Sequence, residues 1–270
     1  MNQDVLRDKI REYCPANVSE RGKVLHELIQ HFVLASLAKS DFFAGAAFHG
    51  GSCLRILYQL ERFSEDLDFL LKKPNKAFVW RPYLEHIKKE GISEGIEFDI
   101  VDQSTTDTAV KKAFLNADCL PNGLALEIDT NPPVGSTYEV RSMTFPMTVP
   151  LTIQTLESSF ALKAYVLLNE GGATGRDWYD LLWFLARRVV PNYLLLESAV
   201  EQQGLGMRKR IVLNTRELLA ELRRSVKNVN WTTARKDIRS SVTNREQASI
   251  QSWSTDFFLS HIDRLGAYLR

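Results

Sequence analysis

A chain of 270 residues is long enough for one large domain or two modest ones. Its apolar share of 44% and charged share of 25% are those of a soluble globular protein. A net charge of +1 excludes a global field for nucleic acid, so any such contact must use a local patch. No apolar run approaches the roughly 20 residues that span a bilayer, and the opening MNQDVLRDKIREYC lacks the apolar centre of a signal peptide. A cytoplasmic location without a membrane partner is therefore expected. Cys14, Cys53 and Cys119 are widely spaced and match no zinc or redox pattern, so free, mostly buried thiols are expected.

The first forty residues read as two helices, the second over 19–40 with Val24, Leu25, Leu28, Phe32, Leu34 and Leu37 recurring at helical spacing. Its HELIQH segment suggests a zinc site only superficially. His26 and His31 are five apart, about 140° around a helix, whereas a ligand pair on one face needs a spacing of four. An apolar approach, Phe42 to Phe48, then leads into Gly50-Gly51-Ser52, after which Cys53, Leu54, Leu57 and Leu60 recur at helical spacing up to a polar break at Arg62-Phe63-Ser64. This pattern predicts strand, tight turn, helix, turn. In the strand that follows, side chains alternate, so Asp66 and Asp68 share one face roughly 7 Å apart, with Leu67 and Phe69 on the other.

Two carboxylates on one strand face suit magnesium, which takes oxygen ligands and usually combines one or two carboxylates with substrate phosphates. A pair of such ions serves nucleotidyl transfer, with Mn2+ as a possible substitute. Gly50 and Gly51 let backbone N–H groups approach an anion, and Ser52 opens a helix whose N-terminus favours negative charge, so a phosphate cradle adjoins the acids.

Further along, 78–90 reads as a helix, 96–101 as a strand and 107–114 as a polar bridge with Lys111 and Lys112 on a solvated face. In GLALEIDTNPP, Leu124, Leu126 and Ile128 alternate with Ala125, Glu127 and Asp129, which puts Glu127 and Asp129 on one face of a strand. A third carboxylate from a neighbouring strand is what a two-metal scheme uses to bind or activate the nucleophile. Asp129 is the preferred third acid and metal ligand, and Glu127 the competitor; the alternative is two exposed acids on an edge strand. An extended segment over 139–153, interrupted by Pro146 and Pro150, completes the sheet, and the period turns helical from Gln154. Two regions are expected on this basis, 1–153 and 154–270, with the active-site cleft completed by the second.

The second region opens with two helices joined by a glycine-rich turn over 171–175. Lys163 falls among Phe160, Ala161, Leu162, Ala164 and Val166, where a merely solvated lysine is unexpected, and it offers a compact charge for phosphate oxygens. Asp177 and Asp180 lie one turn apart on one helix face. Their structural alternatives are a helix cap for Asp177 and an Arg176–Asp180 pair. Trp178, Tyr179, Trp183 and Phe184 read as core. The remainder, 192–270, reads as four helices, the last over 250–269. Arg208, Lys209, Arg210, Arg216, Arg223, Arg224, Lys227, Arg235, Lys236 and Arg239 face few acids there, which suits either RNA phosphates or the solvated faces of a bundle.

Gly-Ser followed by Asp-x-Asp resembles the nucleotidyltransferase superfamily that includes DNA polymerase beta. More narrowly, GGSCLRILYQLERFSEDLDF, LEIDTNPP and the lysine helix followed by GRDWYDL resemble the AbiEii/AbiGii toxin family. The resemblance implies an α+β fold: a small mixed sheet with flanking helices, then a C-terminal helical bundle. It implies that Lys163 contacts the triphosphate and that Asp177 is an essential acid near the nucleotide, with Arg176 beside Gly50, Gly51 and Ser52 in nucleotide binding and Asp180 and Glu127 as further candidates. His49 stands where a lysine often precedes the glycines in the family, so the phosphate contact of that lysine is not carried over to this chain. The implied activity is magnesium-dependent transfer of a nucleoside monophosphate from an NTP to RNA, with the 3′ end of tRNA known for some relatives. The implied setting is a toxin–antitoxin or phage-defence pair with a winged-helix antitoxin. Two rivals stand beside this reading: a nucleotidyltransferase acting on protein or a small molecule, and a silent nucleotide-binding module.

Overall fold

Helix α1, Val18–Ala38, is the first element of the computed structural model, which describes residues 18–105, 108–117, 120–169, 173–202 and 214–268. Cys14, Cys119, Gly171, Arg208, Lys209, Arg210 and the first expected helix lie outside the described residues. The chain forms two units, one of Met1–Gln59, Phe63–Pro132 and Tyr138–Ile153, the other of Leu60–Arg62, Pro133–Thr137 and Gln154–Arg270.

The first unit continues with α2 (Phe42–Gly45), β1 (Ala46–His49), α3 (Gly50–Tyr58), β2 (Leu67–Leu71), α4 (Arg81–Ser93), β3 (Asp99–Asp102), β4 (Val110–Ala117), β5 (Leu120–Asp129), β6 (Tyr138–Met143) and β7 (Val149–Gln154). Its seven-stranded sheet has the order β3-β4-β5-β2-β1-β7-β6. β1 and β2 are antiparallel, while β2 runs parallel to β5 and β1 parallel to β7, so the sheet is mixed. Leu67, Phe69, Leu126 and Ile128 are fully buried from one side of the central strands and join Phe32, Phe42 and Trp80 in the core. Trp80 also donates its indole N–H to the Lys111 carbonyl at 3.1 Å, so the largest core side chain is polar-satisfied.

Two local expectations change. The apolar approach before the glycines is a helical turn, α2, followed by a strand of four residues. The polar bridge over 107–114 is β4, an inner strand bonded to β3 and β5. Its lysines masked the alternation. Lys111 is buried on the side of Ala113 and Leu115 and satisfies its ammonium on the Thr105 carbonyl at 3.2 Å, while Lys112 points the other way and pairs with Glu127.

The second unit contains α5 (Leu156–Leu168), α6 (Gly175–Ala186), α7 (Tyr193–Gln202), α8 (Thr215–Lys227), α9 (Trp231–Ile238), a 3-10 turn (Arg239–Ser241), α10 (Asn244–Ile250) and α11 (Thr255–Tyr268). Five α-helices therefore follow residue 192 among the described residues, where four were expected. The expected last helix is split because the Ser254 hydroxyl accepts from the Phe257 N–H at 3.2 Å and starts α11 afresh. Asn214, Asn230 and Thr243 cap α8, α9 and α10 in the same way. Phe160 stacks on Phe184 at 4.9 Å, and Trp178, Trp231, Trp253 and Phe258 form a second aromatic cluster, so Trp178 and Phe184 are core. Among the described residues no helix is long and apolar enough to cross a membrane.

Where α6 meets α9, a Cβ added at Gly175 would fall on the Ala234 carbonyl oxygen and within 3.2 Å of the Ile238 Cβ. Gly175→Ala should accordingly destabilise the protein by about 1 to 3 kcal/mol. Thermal denaturation followed by circular dichroism checks this, and an unchanged melting temperature would contradict the packing.

Candidate active site

The central strands collect the acids by register. His49 of β1 faces Asp68 of β2, Asp68 faces Glu127 of β5, and Glu127 faces Lys112 of β4. Directly opposed residues share a sheet face, so these four side chains form a row with strand spacings of roughly 5 Å. Asp66 and Asp68 are half-buried whereas Leu67 and Phe69 are buried, as the alternation requires. Asp129 faces Leu70 and so lies on the same face one pleat beyond the row.

The turn from β1 into α3 brings the glycines against this face. Gly50 has a φ of 76°, which only glycine adopts without strain. An added Cβ there would collide with the Asp68 carboxylate Oδ2 and lie 3.0 Å from its Cβ and Cγ. Backbone and carboxylate therefore approach more closely than any other residue would allow. Gly51 and Ser52 follow in the first turn of α3, and both are buried. The Ser52 side chain is turned inward and donates to the Asp66 carbonyl, so its hydroxyl serves the acid segment and only its backbone N–H belongs to the helix start.

Charge is unevenly compensated on the face. Lys112 is ion-paired with Glu127, and that bond, with Asp66 and Asp68 nearby, raises its pKa. Burial pushes the Asp129 carboxyl above the ordinary carboxylate range, against the opposing effects of the Asn131 N–H at 2.8 Å and of His49. The Lys112–Glu127 pair was not legible in the sequence, because nothing in the local pattern of Lys112 distinguishes it from an unpaired solvated lysine.

The second unit holds the other candidates in a buried charge cluster. Lys163 Nζ donates to Asp177 Oδ1 at 2.6 Å and lies 3.0 Å from Asp180 Oδ2. Asp180, fully buried, is gripped by Arg62 through Nε at 2.6 Å and Nη2 at 2.8 Å, a bidentate pair. The other Asp177 oxygen accepts from the Thr174 N–H at 2.7 Å and its hydroxyl at 2.8 Å, so Asp177 closes the start of α6 as well. Burial alone would raise the carboxyls and lower the cations, but the partners dominate: Asp177 and Asp180 are held below the ordinary carboxylate range, and Lys163 and Arg62 are raised. Arg62, not Arg176, is the partner of Asp180. Arg176 is half-exposed at the start of α6.

Other candidates separate from these clusters. His26 bonds the Gly123 carbonyl at 3.2 Å and His31 the Glu27 carbonyl at 2.7 Å, both structural contacts. Cys53 is a buried free thiol, and burial raises its pKa. In the basic stretch Arg223 pairs with Asp263 and Arg224 with Glu221, and Arg235 bonds the Trp253 carbonyl. Arg216, Lys227, Lys236 and Arg239 are exposed there without an ion pair among the described residues.

The family model described as nucleotidyl transferase AbiEii toxin, type IV TA system, matches residues 32–260. None of the curated proteins matches. A candidate nucleotidyltransferase from H. pylori superposes with a TM-score of 0.52 at 20% identity, covering 92% of each chain. JHP933 from Helicobacter pylori gives 0.50 at 19% identity, over 92% of this chain and 90% of its own. At these identities the likeness is one of fold.

Two sets of variants probe the geometry. Gly50→Ala forces both a strained φ and a shift of the Asp68 carboxylate, and should lose most activity while the protein remains folded by circular dichroism. Asp180→Asn leaves Arg62 buried beside a neutral group and should cost about 3 to 5 kcal/mol in denaturant unfolding. Because Asp177 and Asp180 titrate below their unfolded range, the cluster's stabilisation is present at neutral pH. It is lost as pH falls from the ordinary carboxylate range through the depressed values, and the Asn variant should flatten that acid limb.

Proposed function

The chain belongs to the AbiEii family of nucleotidyltransferases, toxins of type IV toxin–antitoxin systems, and from that premise we propose that it transfers a nucleoside monophosphate from an NTP to a hydroxyl of RNA. The observation that carries this reading is the close approach of Gly50 to Asp68, which joins a phosphate-accepting helix start to the acid pair.

The residues fit a divalent cation. Asp66 and Asp68 are half-exposed hard-oxygen donors, and the Asp68 carboxylate lies against the Gly50 backbone at the helix start. Among the described residues no three His, Cys, Asp or Glu side chains are grouped to hold a metal ion, so Asp129, expected as a third ligand, does not join Asp66 and Asp68 in a three-carboxylate group; magnesium is commonly held by one or two carboxylates together with substrate phosphates. The chemistry such a cation supplies when bound is neutralisation of triphosphate charge.

The chain's own groups do the rest. The N–H groups of Gly50, Gly51 and Ser52 bind phosphate oxygens at the start of α3. Within the second unit, Lys163, its ammonium oriented by Asp177 and Asp180, is the candidate phosphate-binding cation by the family resemblance, with Arg176 as a further candidate nucleotide contact. Asp129 accepts the proton of the attacking hydroxyl, a role that its burial-raised carboxyl suits. Glu127, beside Asp68 and paired with Lys112, completes the acid row. The hydroxyl attacks the α-phosphorus, the bond from that phosphorus to the bridging oxygen breaks, and pyrophosphate leaves.

RNA is the acceptor class favoured by Arg216, Lys227, Lys236 and Arg239, whose phosphate contacts would weaken steeply with salt. The tRNA 3′ end is the narrower version of this proposal. A winged-helix antitoxin, action in phage defence and a cytoplasmic location complete it.

Incubation of the protein with each α-labelled NTP, magnesium and total RNA tests the reading. Label should enter RNA with wild type and fall to background with Asp66→Ala/Asp68→Ala; label in protein instead would move the acceptor to a polypeptide. In the same assay Asp129→Asn should lower the rate by about 10² to 10⁴. The wild-type rate should rise with pH as Asp129 deprotonates, with its midpoint above that of an ordinary carboxylate. Asp129→Asn should remove this limb and Glu127→Gln should keep it.

A further inference from the structure

Gln30 is fully buried on α1, among Ile29, Phe32, Val33 and Leu34, at a position where an apolar side chain is the norm. Its Nε2 donates to the Ser64 carbonyl at 3.0 Å and to the Glu65 carbonyl at 2.9 Å, and lies 3.5 Å from the Ser52 hydroxyl. Ser52 in turn donates to the Asp66 carbonyl. Three successive carbonyls, 64 to 66, are thus taken by two buried side chains from α1 and α3.

The amide can be oriented only one way, because its oxygen, turned over, would face the Ser64 and Glu65 carbonyl oxygens. In the observed orientation Oε1 has no partner among the described residues, a burden of about 1 to 3 kcal/mol that an apolar residue of the same size would avoid. The amide is therefore present for its donors. What those donors hold is the segment just before β2, whose first residue is Leu67. Asp68 is set within the ladder, between His49 and Glu127, whereas Asp66 precedes the strand.

We propose that Gln30 is a positioning residue that, with Ser52, fixes the backbone carrying Asp66, as the strand ladder fixes the backbone of Asp68. The proposal rests on the reading of Asp66 and Asp68 as the acids that hold the divalent cation. Gln30 touches neither cation nor nucleotide; it sets where the Asp66 carboxylate points.

The test is Mn2+ binding to the full chain, read by electron paramagnetic resonance without nucleotide, with thermal melting as a check of folding. Gln30→Met removes both donors at nearly constant volume and should weaken Mn2+ about 10- to 100-fold, the range found when partners behind a metal ligand are lost. Gln30→Glu, isosteric but placing oxygen against carbonyl oxygen, should be at least as weak, whereas a role in packing alone would make it the milder change. Ser52→Ala removes the Asp66 arm separately and should weaken Mn2+ even if the Gln30 variants fail to fold. In turnover the metal half-saturation should rise while KM for NTP at saturating metal stays within about twofold. If Asp66→Asn loses Mn2+ while folded Gln30→Met and Ser52→Ala bind it as wild type does, the proposal is overturned and the acid assignment stands. If Asp66→Asn itself binds normally, the acid assignment fails and the proposal falls with it.

Discussion

The close approach of Gly50 to the Asp68 carboxylate is the constraint on which the acid face depends. A strand that ends at His49 and a helix that starts at Gly50 must be joined without an intervening loop, and the joint must lie against a charged side chain on the neighbouring strand. Only a residue without Cβ, at positive φ, meets both conditions. The helix start, with its unsatisfied N–H groups, is thereby held beside the carboxylates. Anion-accepting and cation-accepting groups come within reach of one another because one residue lacks a side chain.

The buried cluster of the second unit follows a different logic. Arg62, Lys163, Asp177 and Asp180 carry two charges of each sign, and their hydrogen bonds interlock. Desolvating four charges is expensive, and an apolar core of the same volume would often be as stable. What the cluster provides is a fixed direction for an ammonium group. Lys163 has three N–H bonds, of which Asp177 and Asp180 orient two, and Asp180 is itself immobilised by the forked guanidinium of Arg62. Asp177 gains rigidity from its second task, closing the start of α6 through Thr174.

The acid face is not left as bare negative charge. Lys112 on β4 neutralises Glu127, and His49 tempers Asp129. Two neighbouring acids on one strand consequently differ. Glu127 is charge-balanced in the Asp68 row, while Asp129 is partly desolvated one pleat away and has a raised carboxyl.

Much of this was legible from spacing alone. The turn glycines, the helix after them, the half-buried acids alternating with Leu67 and Phe69, and the strand carrying Glu127 and Asp129 follow from periods of 3.6 and 2, which are properties of neighbouring residues. The motifs between Gly50 and Asp180 carried the family as well. The rest was decided by tertiary structure. Strand β4 was hidden because Lys111 and Lys112 break its apolar alternation, and only a sheet already in place supplies Lys111 with a carbonyl and Lys112 with a carboxylate. Arg62 meets Asp180 across 118 positions and Gln30 meets Ser64 across 34, with no local signal for either pairing. A buried polar side chain is chosen by the partners that the fold brings to it, since burial without them is too costly. Periodicity tells which residues face inward; which inward polar groups find one another depends on how distant segments cross.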